Sequence, residues 1–151
     1  MTVFSSAGND RLNTDIPGNR EVPKGYNGVI SVGAIDANGR LAKYSNYGPL
    51  TVDFLAPGDQ IVSSTMDGLQ GVMSGTSMAA PMATSIFTLL YGVALERVGQ
   101  RIPRPVVKAW VLDVMCRTAR KVPAQSRCGI LDLSRGVAEV LSGKVPGSMA
   151  A

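Results

Sequence analysis

The stretch Gly75-Thr76-Ser77-Met78-Ala79-Ala80-Pro81 leads into a largely apolar segment, residues 78–95. Proline breaks a helix interior, because its ring lacks an amide donor and clashes with the preceding turn. In the first turn it is tolerated, since the missing amide would have no partner there. A long helix is therefore predicted to start close to Ser77 and to end near Val98. Residues 78–95 are apolar enough to raise the question of a membrane span. Pro81, Thr84, Ser85, Thr88, Tyr91 and Gly92 interrupt them, so a buried helix is the better reading and no membrane partner is expected.

Outward from this junction, the upstream half reads as strands. Residues 28–35 (GVISVGAI) read as a strand whose apolar run suggests burial on both faces, as in a parallel sheet. Shorter strands are expected at 2–5, 52–56 and 60–64, with turns at 36–39 and 57–59 and loops at 7–25 and 44–49. Residues 71–74 read as a lead-in to the long helix. Downstream, Pro103 and Pro105 open a second helix, in which Val107, Trp110, Val111 and Val114 fall at i, i+3, i+4 and i+7 and form one apolar face. A last helix is expected at 132–141, with Gly143 as its stop. Strands followed by helices imply one α/β domain, a mostly parallel sheet with flanking helices.

Composition narrows the chemistry. The chain has 151 residues, 45% hydrophobic and 17% charged, which suits a globular domain with a core. Its net charge is only +4, and Trp110 is the sole aromatic residue among the ten Lys and Arg of 97–144, so no nucleic-acid partner is expected. There is no histidine. A Ser-His-Asp or Cys-His triad therefore cannot be completed from these residues, and a zinc site lacks ligands. Cys116 and Cys128 are compatible with a loop disulfide in an exported protein or with two unrelated buried thiols. Residues 1–6 have neither the basic nor the apolar region of a signal peptide.

Two segments could carry chemistry. A serine at a helix start, with a small residue before it, is open to substrate, and the helix amides there favour a developing negative charge. The plainer role for Ser77 is a helix N-cap. The α/β-hydrolase elbow G-x-S-x-G does not apply, because position 79 is Ala. In Ser5-Ser6-Ala7-Gly8-Asn9-Asp10, the Asn9 amide could donate to an oxyanion, or Gly8-Asn9-Asp10 could be only a turn. The run 28–65, GVISVGAIDANGRLAKYSNYGPLTVDFLAPGDQIVSST, carries no obvious chemistry by itself.

Together these three segments resemble the subtilase family of subtilisin-like serine proteases. GTSMAAP matches the family's nucleophile motif, SSAGND its oxyanion segment, and the middle run its VGA-D-G and YSN-G…VD-APG-I-ST pattern, while GILDLSRGVAEVL resembles its closing helix. The resemblance implies a serine endopeptidase with Ser77 as nucleophile and Asn9 in the oxyanion hole. It places Ser6, Ala7 and Gly8 along one wall of the substrate pocket, with Gly75 and Thr76 closing it. Asp53 falls where some members have a side chain at a weak cation site; a solvated or capping carboxylate is the preferred reading, and no metal or cofactor is expected. Met82 departs from the His or Val common after the motif's Pro, at a packing position. The family's triad Asp and His precede the oxyanion Asn and have no counterpart here. Residues 1–151 are therefore expected to be the C-terminal part of a subtilisin-like peptidase domain, inactive alone, that acts on peptide or protein once an N-terminal segment carrying Asp and His complements it. The rival expectation is a non-catalytic pseudoprotease that binds peptides or a partner. The family suggests secretion or the cell envelope, although nothing in the chain directs export.

Overall fold

The architecture comes from a computed structural model that describes residues 1–19 and 28–146; the 20–25 part of the expected 7–25 loop lies outside the described residues. Strands β1 (Val3–Ser6), β2 (Val29–Ile35), β3 (Phe54–Pro57) and, after two further strands, β6 (Gly129–Ile130) form one sheet in the order β1-β2-β3-β6. Every pairing in it is parallel, with Val3 opposite Val29, Val32 opposite Phe54, and Leu55 opposite Ile130. Side chains alternate across a strand. Val32, Ala34, Phe54 and Ala56 thus enter a core shared with the helices. Ile35 and Leu55 enter a smaller core with Ala7, Val52 and Ile130, covered by Leu41 and Val122. Burial on both faces explains the largely apolar sequence of β2, whose one polar residue, Ser31, is itself buried.

Helix α1 (Thr76–Val98) lies against β1, β2 and β3 through Ala79, Ala83, Phe87, Leu90, Ala94 and Val98. Helices α2 (Arg104–Thr118) and α3 (Leu133–Ser142) pack on α1 and on each other. Val107, Trp110, Val111 and Val114 are all buried, as the apolar face required. The Asp132 carboxylate accepts a hydrogen bond from Arg135 N at 2.9 Å and caps α3. Cys116 of α2 and Cys128 beside β6 are disulfide-bonded, with Cα atoms 4.8 Å apart. Gly58 marks where β3 leaves the sheet beneath α1: a Cβ there would lie 2.7 Å from Ala34 Cβ and 2.8 Å from Gly75 O. The close approach lets Gly75 N donate to Gly58 O at 2.8 Å, which fixes the start of α1 on the sheet.

Several expectations need correction. Residues 71–74 are not a mere lead-in: β5 (Gln70–Met73) pairs antiparallel with β4 (Ile61–Ser64) in a separate two-stranded ribbon. Helix α1 begins at Thr76, so Pro81 sits in its second turn, where it leaves the Ser77 carbonyl without the usual amide partner. Nor is α1 wholly buried. Pro81, Met82, Thr84, Ser85, Thr88, Leu89 and Gly92 are exposed, and 33% of its most apolar window is buried. Among the described residues it is the one helix long and apolar enough to cross a membrane, by length and composition alone. The hydroxyls of Thr84, Ser85 and Thr88 are satisfied within the helix, each donating to the carbonyl four residues back.

Candidate active site

The helix start carries no side-chain cap. Gly75 is the N-cap, and Thr76 and Ser77 are the first two helical residues. Ser77 is therefore not the cap that the plainer reading made it. Its backbone N–H is one of those that an α-helix leaves without an internal acceptor. Its side chain is exposed, and among the described residues no group hydrogen-bonds its hydroxyl.

The loop after β1 brings Asn9 to this point. Ala7 N donates to Val32 O at 2.8 Å, extending the β1–β2 ladder by one residue. Gly8 then turns the chain with φ 103°. Thr76, wholly buried, holds both Gly8 and Asn9. Its hydroxyl accepts from Gly8 N at 3.1 Å and donates to Asn9 Oδ1 at 3.0 Å, and its backbone N donates to the same Oδ1 at 2.9 Å. Two donors on Oδ1 fix the orientation of the side-chain amide, so Nδ2, with its two hydrogens, faces away from Thr76. A Cβ built on Gly75 would lie 3.6 Å from Asn9 Nδ2 and 3.7 Å from Ser77 N. Met78 Sδ lies 3.6 Å from the same point, so the two nitrogens and the thioether border the space that a side chain at position 75 would fill. Two N–H groups converging beside a serine hydroxyl can receive a carbonyl oxygen as it gains negative charge.

The remaining positions sort by burial. Ser6 is half-buried, whereas Ala7, Gly8, Gly75 and Thr76 are buried. The side chain of Thr76 points inward to Gly8 and Asn9 and orients the Asn9 amide. Asn46, which the sequence reading left without a role, is buried in the loop after β2. Its Oδ1 accepts from Asp10 N at 3.0 Å and Leu12 N at 2.9 Å, and its Nδ2 donates to Ala7 O at 3.0 Å and Asp10 Oδ2 at 3.4 Å. A polar residue between Ser45 and Tyr47 in a turn-rich stretch gave no local sign of this, because its partners lie up to 39 residues away.

Asp53 is neither solvated nor capping. Its Oδ2 accepts from Ser31 N at 2.9 Å, and its Oδ1 pairs with Arg127 Nη1 at 3.1 Å. Burial pushes its carboxyl above the usual carboxylate range, opposed by the Ser31 amide and the Arg127 charge. The Arg127 guanidinium supplies the positive charge that faces this carboxylate.

A family model described as the subtilase family matches residues 1–128. The chain belongs to the subtilase family. This subtilase chain is 43% identical over 88 residues to a thermophilic serine proteinase of Bacillus sp. (strain AK1), covering 58% of this chain and 20% of that protein. It is 38% identical over 114 residues to subtilisin-like protease 5 of Arthroderma gypseum, covering 72% of this chain and 28% of that one. Among solved structures it resembles the prenylagaramide maturation protease PagA, with TM-score 0.74 and 25% identity over 93% of this chain and 50% of the other. It also shares the fold of the epidermin leader peptide processing serine protease of Staphylococcus aureus, with TM-score 0.76 and 20% identity over 95% of this chain and 41% of the other. The chain thus spans between a fifth and a half of these four proteins, and its mostly parallel sheet with packed helices is a subtilisin-like fold.

Proposed function

We propose that residues 1–151 form the C-terminal part of a subtilisin-like peptidase domain that supplies the nucleophile and oxyanion donors for peptide-bond hydrolysis. The observation that supports this reading is that Asn9 Nδ2 and Ser77 N border one point beside Gly75, 3.6 and 3.7 Å from where a Cβ on that residue would sit. Ser77 Oγ attacks the carbonyl carbon of a peptide or protein substrate. The carbonyl oxygen becomes an oxyanion between the two N–H donors. The hydroxyl proton passes to a base, then to the departing amine, and water later releases the acyl group from Ser77 by the same route.

The base is the part that this chain lacks. A serine hydroxyl is a weak nucleophile until a base takes its proton, and there is no histidine among the 151 residues. A complementing segment bearing an Asp and a His, N-terminal in the family order, supplies it. Alone, the chain is inactive. The test is reconstitution: co-expression with such a segment from a subtilase should give cleavage of a peptide substrate. Ser77→Ala should abolish that cleavage, and Asn9→Ala should lower kcat by roughly 10²–10³-fold. Cleavage that persists in Ser77→Ala would refute the assignment.

A further inference from the structure

We infer that Asn46 is a positioning residue that sets the Asn9 amide in the oxyanion site, an inference that rests on the proposed role of Asn9. Asn46 does not touch Asn9. It holds the chain on both sides of it, at Ala7 and Gly8 before and at Asp10 and Leu12 after. Besides its four side-chain bonds, its backbone N donates to Gly8 O at 2.9 Å. The residue itself is 1% exposed. Only a carboxamide offers two donor hydrogens and an oxygen that accepts twice, and Asn places both ends close to its own backbone.

The loop needs such a tie. Within it Gly8 has φ 103° and Arg11 has φ 58°, a left-handed conformation that a side-chain-bearing residue adopts only where its surroundings impose it. Asn46 Oδ1 spans that strained residue, accepting from Asp10 on one side and Leu12 on the other. Thr76 fixes the tip of the Asn9 side chain, and Asn46 fixes the backbone from which it projects. An oxyanion donor works only within about 3 Å of the developing charge, so a loop released at its base loses the donor even with Asn9 still present.

The isolated chain reports this directly through hydrogen exchange of the Thr76 amide, whose acceptor is Asn9 Oδ1. Asn46 makes no contact with that amide. In Asn46→Ala, protection of the Thr76 amide should fall by about tenfold or more relative to that of Leu90 in the middle of α1, as it should in Asn9→Ala. Val140→Ala, a buried truncation in α3, should leave the Thr76-to-Leu90 ratio unchanged. Should Asn46→Ala fail to fold, Asn46→Asp keeps the volume and the two accepted bonds but sets an oxygen against Ala7 O, and should show a smaller fall of the same kind. An unchanged ratio in a folded Asn46 variant overturns the inference, and so does a fall shared equally by all of α1. In the reconstituted enzyme, Asn46→Ala should lower kcat about 100-fold with KM little changed. It should add nothing further when Asn9 is already Ala, because both substitutions remove one donor. Fully additive losses would also overturn the inference. If reconstitution yields no Ser77-dependent turnover, the proposed function falls, and the exchange experiment still decides the role of Asn46.

Discussion

Thr76→Val removes one oxygen from the best-defined contact of the site and keeps the shape of the side chain. The hydroxyl has two partners, and they respond differently. Gly8 N–H, buried and 3.1 Å from the hydroxyl, loses the acceptor the structure gives it. A buried unsatisfied donor costs about 1–3 kcal/mol. Asn9 Oδ1 keeps its bond from Thr76 N at 2.9 Å and so forfeits only the net value of the second bond, about 0.5–1.5 kcal/mol. The expected loss is therefore about 1.5–4.5 kcal/mol. Urea unfolding of the isolated chain, followed by far-UV circular dichroism, measures it as a lower midpoint at constant m. Asn9→Ala shares one bond with Thr76→Val, so the double variant should lose about 0.5–1.5 kcal/mol less than the sum of the single variants. A loss below about 0.5 kcal/mol for Thr76→Val, or full additivity in the pair, would refute the proposed lock between helix start and oxyanion loop.

Three other outcomes rest on contacts elsewhere in the chain. Cys116→Ala/Cys128→Ala opens a loop closed across 12 residues and should lower stability by about 3 kcal/mol, or Tm by roughly 6–12 °C in scanning calorimetry. An unchanged Tm would show that the bridge constrains nothing. Burial raises the Asp53 carboxyl above its ordinary 3.8 in the folded chain, so folding favours its protonated form. That contribution is present below the unfolded pKa and lost as pH rises through the folded one. Stability of wild type relative to Asp53→Asn should therefore decline with rising pH above about 3.9, and parallel pH profiles would contradict this. Gly75→Ala should fold within about 0.5 kcal/mol of wild type, since its Cβ meets nothing closer than 3.6 Å, yet it should abolish turnover in the reconstituted enzyme by filling the oxyanion space. Full turnover would show that the substrate oxygen goes elsewhere.

The parts of this fold that were legible in the sequence are those whose signal is local. The largely apolar run of β2 announced a strand covered on both faces, and the spacing of Val107, Trp110, Val111 and Val114 announced the buried stripe of α2. Motif order brought Ser77 and Asn9 to attention. What escaped depends on distant partners. β6 is two residues long and is held by Phe54 and Leu55 on one side and by Arg120 on the other. β5 holds Gln70 and Gly71, which carry no strand signal, and its partner lies across a turn. The start of α1 lies within one residue of the expected position, but its N-cap is Gly75, which offers no capping side chain for a sequence reading to find. The roles of Thr76 and Asn46 are hydrogen bonds spanning 34 to 68 residues, which no periodicity encodes. The same holds for Arg127, which reaches back to neutralise Asp53 and bind Leu50 O.

The proposal that Ser77 and Asn9 make a working half-site awaiting its base can be tested by one measurement, intact-mass analysis of the chain after exposure to a fluorophosphonate. The purified chain alone should gain no adduct, because nothing within it removes the proton of Ser77. The chain co-expressed with a subtilase segment bearing the Asp and His should gain one adduct, mapped to Ser77 and absent in Ser77→Ala. Robust labelling of the isolated chain at Ser77 would contradict the claim that its base comes from outside. A folded, complemented chain that stays unlabelled would contradict the claim that Ser77 is the nucleophile.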